Sequence, residues 1–428
     1  MRVVMTVAGS DPIGGAGVQA DIKAISSMDL HGCSVITAAT SQNTRAVSAI
    51  HPFSEKEVAS QLDCVLDDAR ISAVKTGMLY SREIAETVCA RLRRVDAPLV
   101  VDPVLVAGVG DSLYSQDLLA AFREVVFPIA TVITPNRGEA ELLLGRSISK
   151  PNDLTRACED LAAMGPKAVV LKGGHFDGDM ATDLLYDDGM VTEFSMPRLD
   201  RRVHGGGCTF SSFLACGLAK GWGLKRSMLE AKRRVHDSIA LSYPVGHGMS
   251  VANPTATRQK EAMRSDLLRG LDRAVRHLAA GVLPSVRVGR ASFCHALPNP
   301  QGHDEVGMAF IHLHRGRMRA TSATFGAGGA APDTLLTLNR IDENILSALE
   351  LIVESGAWDA PGEDELDVLF IGPDVEGLGM AKEYLARSTN ALGRSPDLVV
   401  SERDGMSTVL FLGKDPRDVL LKARSTMS

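Results

Sequence analysis

From residue 1 to about 245, short β-branched apolar runs alternate with amphipathic stretches, the pattern of parallel strands joined by crossover helices. Strands are predicted at Val3–Val7, Ser34–Ala38, Ile71–Lys75, Leu99–Asp102, Thr131–Thr134 and Ala168–Lys172. Between them, Lys56–Asp68, Arg82–Val95 and Asn152–Met164 repeat apolar residues at three-and-four spacing and are predicted helices. Ala181–Tyr186 and Met190–Met196 flank Asp187-Asp188-Gly189, a hairpin signal because Asp-Gly supplies positive φ angles. Two more helices, Thr209–Lys220 and Lys225–Tyr243, close a layered α/β domain.

The stretch Pro244 to Pro254 is rich in Gly and Pro and lacks periodicity, so it is the predicted boundary between a domain at residues 1–250 and a smaller α/β domain at 260–428. The second domain is expected to hold a helix at Ala262–Ala279, a strand at Val306–Leu313 and a helix at Asp333–Glu354. A strand at Leu366–Ile371, a helix near Gly377–Leu392 and a strand at Thr408–Leu412 should follow.

Composition narrows the function. The 428 residues are 45% hydrophobic and carry 46 basic against 52 acidic side chains, a formal charge of −6. Lys and Arg are scattered among Asp and Glu, so no footprint for a nucleic acid or an anionic membrane is expected. No apolar run approaches the roughly 20 residues that span a bilayer, and the reading is cytoplasmic. Seven widely spaced cysteines without a C-x-x-C pair argue against a disulfide framework or a zinc knuckle.

Candidate chemistry sits in loops at predicted strand ends. Gly9-Ser-Asp-Pro-Ile-Gly-Gly-Ala-Gly-Val-Gln-Ala-Asp21 follows the first strand and opens a helix, either to let a ligand approach the backbone or only to pack. His204-Gly-Gly-Gly-Cys208-Thr209 runs into a helix start, so its N–H groups can converge on an anion such as a transferring phosphoryl group. The same field should favour a Cys208 thiolate, a plausible base for an attacking hydroxyl. Lys172-Gly-Gly-His175 offers an ammonium to phosphates, or a lysine that is merely solvated. Asn136 and Glu139, in Thr134-Pro-Asn136-Arg-Gly-Glu139, suit water-mediated Mg²⁺ or a simple helix cap. Asp102, opening Asp102-Pro-Val-Leu-Val-Ala-Gly108, could orient a base or a metal-bound water. A lipase-type HGGG loop is set aside because no G-x-S-x-G elbow exists, and no Walker A motif is present.

In order, AGSDPIGGAGVQAD (8–21), SQNT (41–44), KTGML (75–79), DPV (102–104), TPN..E (134–139), KGGH (172–175) and HG.GCT (204–209) resemble the ribokinase-like hydroxymethylpyrimidine and hydroxymethylpyrimidine-phosphate kinases of thiamine biosynthesis. The resemblance implies a central, mostly parallel sheet with helices on both faces. It puts a pyrimidine site on Gly9, Asp21, Gln42, Met78 and Val104. Asp21 and Gln42 would pair with the heterocycle edge, and Met78 and Val104 would sandwich its ring. The nucleotide site falls on Asn136, Glu139, Lys172 and Thr209. Catalysis falls on Lys172 and on Gly205, Gly206, Gly207 and Cys208. ATP and Mg²⁺ are the implied cofactors, with Asp102 and Glu139 nearest the metal. A small-molecule aminopyrimidine or its phosphate is the implied partner, and a homo-oligomer, a dimer, is expected. Gly206 replaces the family's usual Thr, which removes a hydroxyl but keeps the backbone N–H that the anion hole needs, so activity is expected, if at a slower rate. A pyridoxal kinase shares the fold and is the alternative enzyme.

Residues 260–428 resemble the thiamine-phosphate synthase domain that follows this kinase in archaeal bifunctional proteins. The similarity rests on Ala291–Leu297, Phe325–Gly328, Leu346–Leu349 and Leu412–Val419. The family's phosphate-binding pattern is eroded: Ala327-Gly-Gly-Ala330 follows the Phe-Gly, Met308-Ala309 stand where an arginine is expected, and Asp404-Gly-Met-Ser-Thr408 replaces a Gly-Lys-Glu-Pro type motif. A binding or regulatory role for thiamine phosphates is therefore the rival to synthesis. Arg315, Arg317 and Arg319 alternate on one predicted strand face, as a phosphate site or a solvated surface. His312 and His314 share a face without a third metal ligand.

Overall fold

The predicted β-branched runs form the strands of one nine-stranded sheet, in the order β3-β2-β1-β4-β5-β6-β7-β8-β9. They are β1 (Val3–Ser10), β2 (His31–Gln42), β3 (Val47–Pro52), β4 (Ile71–Thr76), β5 (Leu99–Val101), β6 (Val132–Ile133), β7 (Ala168–Leu171), β8 (Met180–Asp187) and β9 (Met190–Pro197). The computed structural model describes residues 1–105, 115–149, 151–173, 178–282, 288–314, 317–354, 366–371, 395–403 and 406–427. The predicted helix near Gly377–Leu392, Val106–Gly108, Gly174-His175, Arg315 and Asp404-Gly405 lie outside the described residues.

Pairing is parallel from β2 through β7 and antiparallel at both edges. Along the central strands alternate residues feed two cores: Met5, Val7, Val74, Val101 and Ile133 face one, Val4, Ala73, Val100 and Val132 the other. Both faces are apolar, so these strands read as continuous runs. At the β8–β9 hairpin Asp188 and Gly189 have φ of 49° and 75°, the two positive angles expected of Asp-Gly.

Helix Gly206–Ala219 packs on the second core through Phe210, Phe213 and Leu214, and Thr209 to Gly217 are all buried. This central burial fixes the glycine loop at its N-terminus beside the sheet.

The chain divides into units Met1–Arg258 and Gln259–Ser428. Pro244–Pro254 is not a free linker. Tyr243 pairs with Val251, Val203-His204 pairs in parallel with Ser250-Val251, and the Gly248 amide donates to Thr44 Oγ1. Gly and Pro there serve close packing within the first unit.

The described part of the second unit is a mostly antiparallel sheet built from strands Val288–Ala296, Val306–His314, Arg317–Ala320, Ser347–Glu354, Val368–Ile371, Leu398–Arg403 and Met406–Gly413. The predicted helix at Asp333–Glu354 is corrected: a helix at Ala330–Asn339 is followed by strand Ser347–Glu354. Asp342 Oδ1 accepts the Asn344 N–H and turns the chain there. The strand is central, paired on both edges, so its nearly continuous apolar run mimicked helical spacing. Arg319 and His312 are exposed, on strands that pair with each other. Among the described residues no helix is long and apolar enough to cross a membrane.

Candidate active site

Apart from the Gly205–Cys208 loop, which follows the short strand Val203–His204 outside this sheet, the candidate loops of the first unit lie at the C-terminal ends of its strands, the edge at which α/β sheets bind ligands. There they border one cavity of about 190 Å³. Gly9 follows from β1, Gln42 from β2, Met78 from β4, Asp102 and Val104 from β5, Asn136 and Glu139 from β6, Lys172 from β7, and Gly205 to Cys208 from the central helix. Every candidate site residue lines it except Asp21 and Thr209.

The first loop is organised by Asp11, which the sequence reading passed over. Its carboxylate accepts N–H bonds from Ile13 at 3.1 Å, Gly15 at 3.0 Å and Ala16 at 2.8 Å. Burial opposes its ionisation, but His204 and these N–H groups hold its pKa below the ordinary value. His204 Nε2 lies 2.9 Å from Asp11 Oδ2 and 3.0 Å from the Gln42 amide. The residue that opens the glycine loop is thus in contact with the heterocycle-binding candidate.

Gly205 caps the central helix with φ +87°, and a Cβ there would come within 1.7 Å of the Gly15 carbonyl oxygen. Only glycine fits. Gly206 differs: a Cβ would meet nothing closer than Val203 Cγ2 at 3.6 Å, so the missing threonine is not excluded by space.

Two buried ion pairs flank the loop. Lys172 Nζ donates to Asp102 Oδ1 at 2.9 Å, and Asp102 also accepts from Thr134 Oγ1 and Ser211 Oγ. A Cβ on Gly207 would lie 3.4 Å from Lys172 Nζ, so this ammonium stands beside the anion loop. Burial would raise the Asp102 pKa, but Lys172 and Lys75 overcome it and hold it low. Lys75 Nζ, fully buried, donates to both Asp21 oxygens at 3.0 and 2.8 Å.

Asp21 is therefore corrected from a pyrimidine-edge contact to the anchor of Lys75. It accepts from Thr6 Oγ1 and Ser212 Oγ as well, and lies outside the cavity lining. A lysine in the buried strand Ile71–Thr76 is the signal for such a pair, since a buried charge needs a partner. Thr209 is buried in the first helical turn, and its hydroxyl has no partner among the described residues.

Glu139 forms a capping box with Asn136: Asn136 N–H donates to Glu139 Oε2 at 2.8 Å and Glu139 N–H to Asn136 Oδ1 at 2.9 Å. Burial pushes the Glu139 carboxyl up to about 7, with Asp102 adding to the rise and Lys172 opposing it. The Cys208 expectation is reversed in sign. Burial raises the thiol to about 11, and the opposing Lys75 charge does not compensate.

With Asp102 and Glu139 both at the cavity, oxygen ligands suited to Mg²⁺ are available in water-mediated form. Among the described residues no three His, Cys, Asp or Glu side chains cluster as a direct metal site. Mg²⁺ carried by a nucleotide would neutralise charge on its phosphates.

A mostly parallel sheet whose strand ends converge on a glycine loop at a helix start, with lysines facing that loop, defines a ribokinase-like phosphotransferase. Pyridoxal kinase from Staphylococcus aureus, solved with AMP-PCP and pyridoxal, is 28% identical with TM-score 0.56, over 60% of this chain and 96% of that one. The phosphomethylpyrimidine kinase structure from Clostridium difficile is 35% identical with TM-score 0.51, over 56% of this chain and all of that one. The hydroxymethylpyrimidine/phosphomethylpyrimidine kinase of Streptomyces coelicolor is 45% identical over 248 residues, 58% of this chain and 92% of its own length. Residues 11–253 match the phosphomethylpyrimidine kinase family, and the chain belongs to it.

Proposed function

We propose that the chain transfers the γ-phosphoryl group of ATP to the hydroxymethyl of 4-amino-5-hydroxymethyl-2-methylpyrimidine, and then a second one to the resulting monophosphate, in thiamine biosynthesis. The observation that carries this reading is the 3.0 Å contact between the Gln42 amide and His204, which supports a heterocycle-binding role for Gln42 beside a phosphoryl-binding role for the glycine loop in one cavity. Gln42 holds an edge of the ring between Met78 and Val104. The hydroxymethyl oxygen attacks phosphorus while its proton passes to the Cys208 thiolate, and the bond to the β-phosphate oxygen breaks to release ADP. N–H groups of Gly205–Cys208, with Lys172, stabilise the migrating charge. The raised Cys208 pKa makes the thiolate a minority form at neutral pH, supported by Lys75. ADP release coupled to a reporter enzyme, with the pyrimidine, ATP and Mg²⁺, tests this. Steady turnover is expected, and none at millimolar substrate refutes it.

Pyridoxal phosphorylation is the second reading, favoured by the likeness to the pyridoxal kinase structure; competition between pyridoxal and the pyrimidine separates the two. For the second unit we propose binding of a thiamine phosphate, since the motifs at Ala291–Leu297 and Leu412–Val419 remain while the phosphate-binding pattern is eroded. Calorimetry with the full chain and thiamine phosphate tests it. Condensation of pyrimidine diphosphate with thiazole phosphate would instead make the unit a synthase.

A further inference from the structure

The Asp11–His204–Gln42 contact carries a constraint that none of the three residues states alone. His204 Nε2 is within hydrogen-bond distance of two atoms, Asp11 Oδ2 at 2.9 Å and the Gln42 amide at 3.0 Å, and a neutral imidazole has one proton to place. His204 Nδ1 is buried and has no partner among the described residues. A proton on Nδ1 would be an orphaned buried donor, and would leave Nε2 as a lone pair facing a carboxylate oxygen. A proton on Nε2 avoids both costs, because it points at Asp11 and leaves only an unpaired acceptor.

Once Nε2 is the donor, the amide of Gln42 has one acceptable orientation. Gln42 Nε2 faces His204 Nε2, and with a proton on the latter two donors would oppose each other at 3.0 Å, so the amide must turn by 180° to bring its oxygen to His204. The other end agrees. Thr40 Oγ1 donates to the Ser10 carbonyl at 3.0 Å and lies 3.2 Å from Gln42 Oε1, the place that a turned amide gives to its NH₂, so it can then accept an N–H from Gln42. One amide N–H goes to Thr40 and the remaining N–H is left for the cavity that Gln42 lines.

We infer that Asp11 and His204 lock the Gln42 amide as a hydrogen-bond donor to the ligand, making His204 a positioning residue that selects heterocycles with an acceptor ring nitrogen at that edge. This rests on the cavity being the pyrimidine site proposed above. The lock also links the two halves of the site, because His204 immediately precedes the left-handed Gly205 turn.

The test compares the aminopyrimidine with its two deaza analogues, in each of which a C–H replaces one ring nitrogen. In the unaltered chain one analogue is expected to lose at least about tenfold in kcat/KM. In His204→Leu that discrimination falls to about twofold or less. His204→Gln, which returns an N–H near the Nε2 position, restores most of it. An unchanged ratio in a folded His204→Leu overturns the inference, as does a His204→Gln that folds but does not restore discrimination. His204 is buried, so Leu could prevent folding. A second readout therefore uses the full unaltered chain: ¹⁵N NMR of His204, identified by its loss in His204→Gln. Protonated Nε2 with bare Nδ1 supports the lock, and the reverse tautomer overturns it. If no pyrimidine is phosphorylated at all, the proposed function fails while the NMR result still decides the proton's place.

Discussion

Both units run a glycine-rich segment into a helix, but among the described residues only the first gathers two lysine–carboxylate pairs and a cysteine around it. In the first, Gly205–Gly207 lead into the helix Gly206–Ala219 with Lys172, Asp102 and Cys208 at the same cavity and Lys75 among its lining. In the second, Gly326-Ala-Gly-Gly329 lead into helix Ala330–Asn339 beside His303, which pairs with Asp333 at 2.9 Å, and Met308, while the nearby Arg264 guanidinium stacks on the Phe325 ring and donates to the Asp304 carbonyl. The glycines in both places free the backbone. Phosphoryl chemistry needs charges aimed at it as well, and the sheet topology supplies them: parallel strands deliver every C-terminal loop to one edge, which an antiparallel sheet does not do.

The comparison breaks most directly at Cys208. Cys208→Ala is expected to lower kcat by about 10² to 10⁴ if the sulfur is the base, measured by ADP release at saturating substrate. A wild-type rate would leave the sulfur a packing role. Next, Gly205→Ala should cost about 1–3 kcal/mol in backbone strain, with the Gly15 carbonyl clash added. A lower melting temperature and impaired turnover should follow. Gly328→Ala, the matched change in the second unit, should leave ADP release within about twofold, because a Cβ there meets only His303 at 3.8 Å.

A third difference concerns protonation. With the Cys208 pKa raised to about 11, its thiol is protonated at neutral pH, and the reactive thiolate grows as pH rises toward that value. Alkylation of Cys208, followed peptide by peptide, should accelerate about tenfold per pH unit from 7 to 10. A plateau by pH 8 would show that the helix field outweighs burial. A modest gain is expected at Gly206→Thr, which restores the family's hydroxyl in a space that admits it and should raise kcat/KM for ATP by about two- to fivefold.

The strands of the first unit were legible because both faces of its sheet are apolar, and the loops because they follow those strands. What sequence could not show was which polar groups satisfy one another. Asp21 lies in the cavity motif by spacing, but a buried Lys75 claims it. Asp11 and His204 sit inside recognised motifs, yet their roles depend on a contact spanning 193 positions. The Cys208 shift has the opposite sign to the one expected because the helix field is visible in sequence and burial is not. Ser347–Glu354 failed for a related reason: a strand covered on both faces carries no alternation.

The central claim, that one cavity holds the heterocycle and the migrating phosphoryl group, is tested most directly by a crystal structure with the aminopyrimidine and a non-hydrolysable ATP analogue bound together. The account predicts the ring between Met78 and Val104 with an edge on Gln42. The hydroxymethyl oxygen should be within reach of Cys208 Sγ and face a terminal phosphate held by the Gly205–Cys208 amides. A pyrimidine bound away from Gln42, or a terminal phosphate remote from the glycine loop, would contradict it.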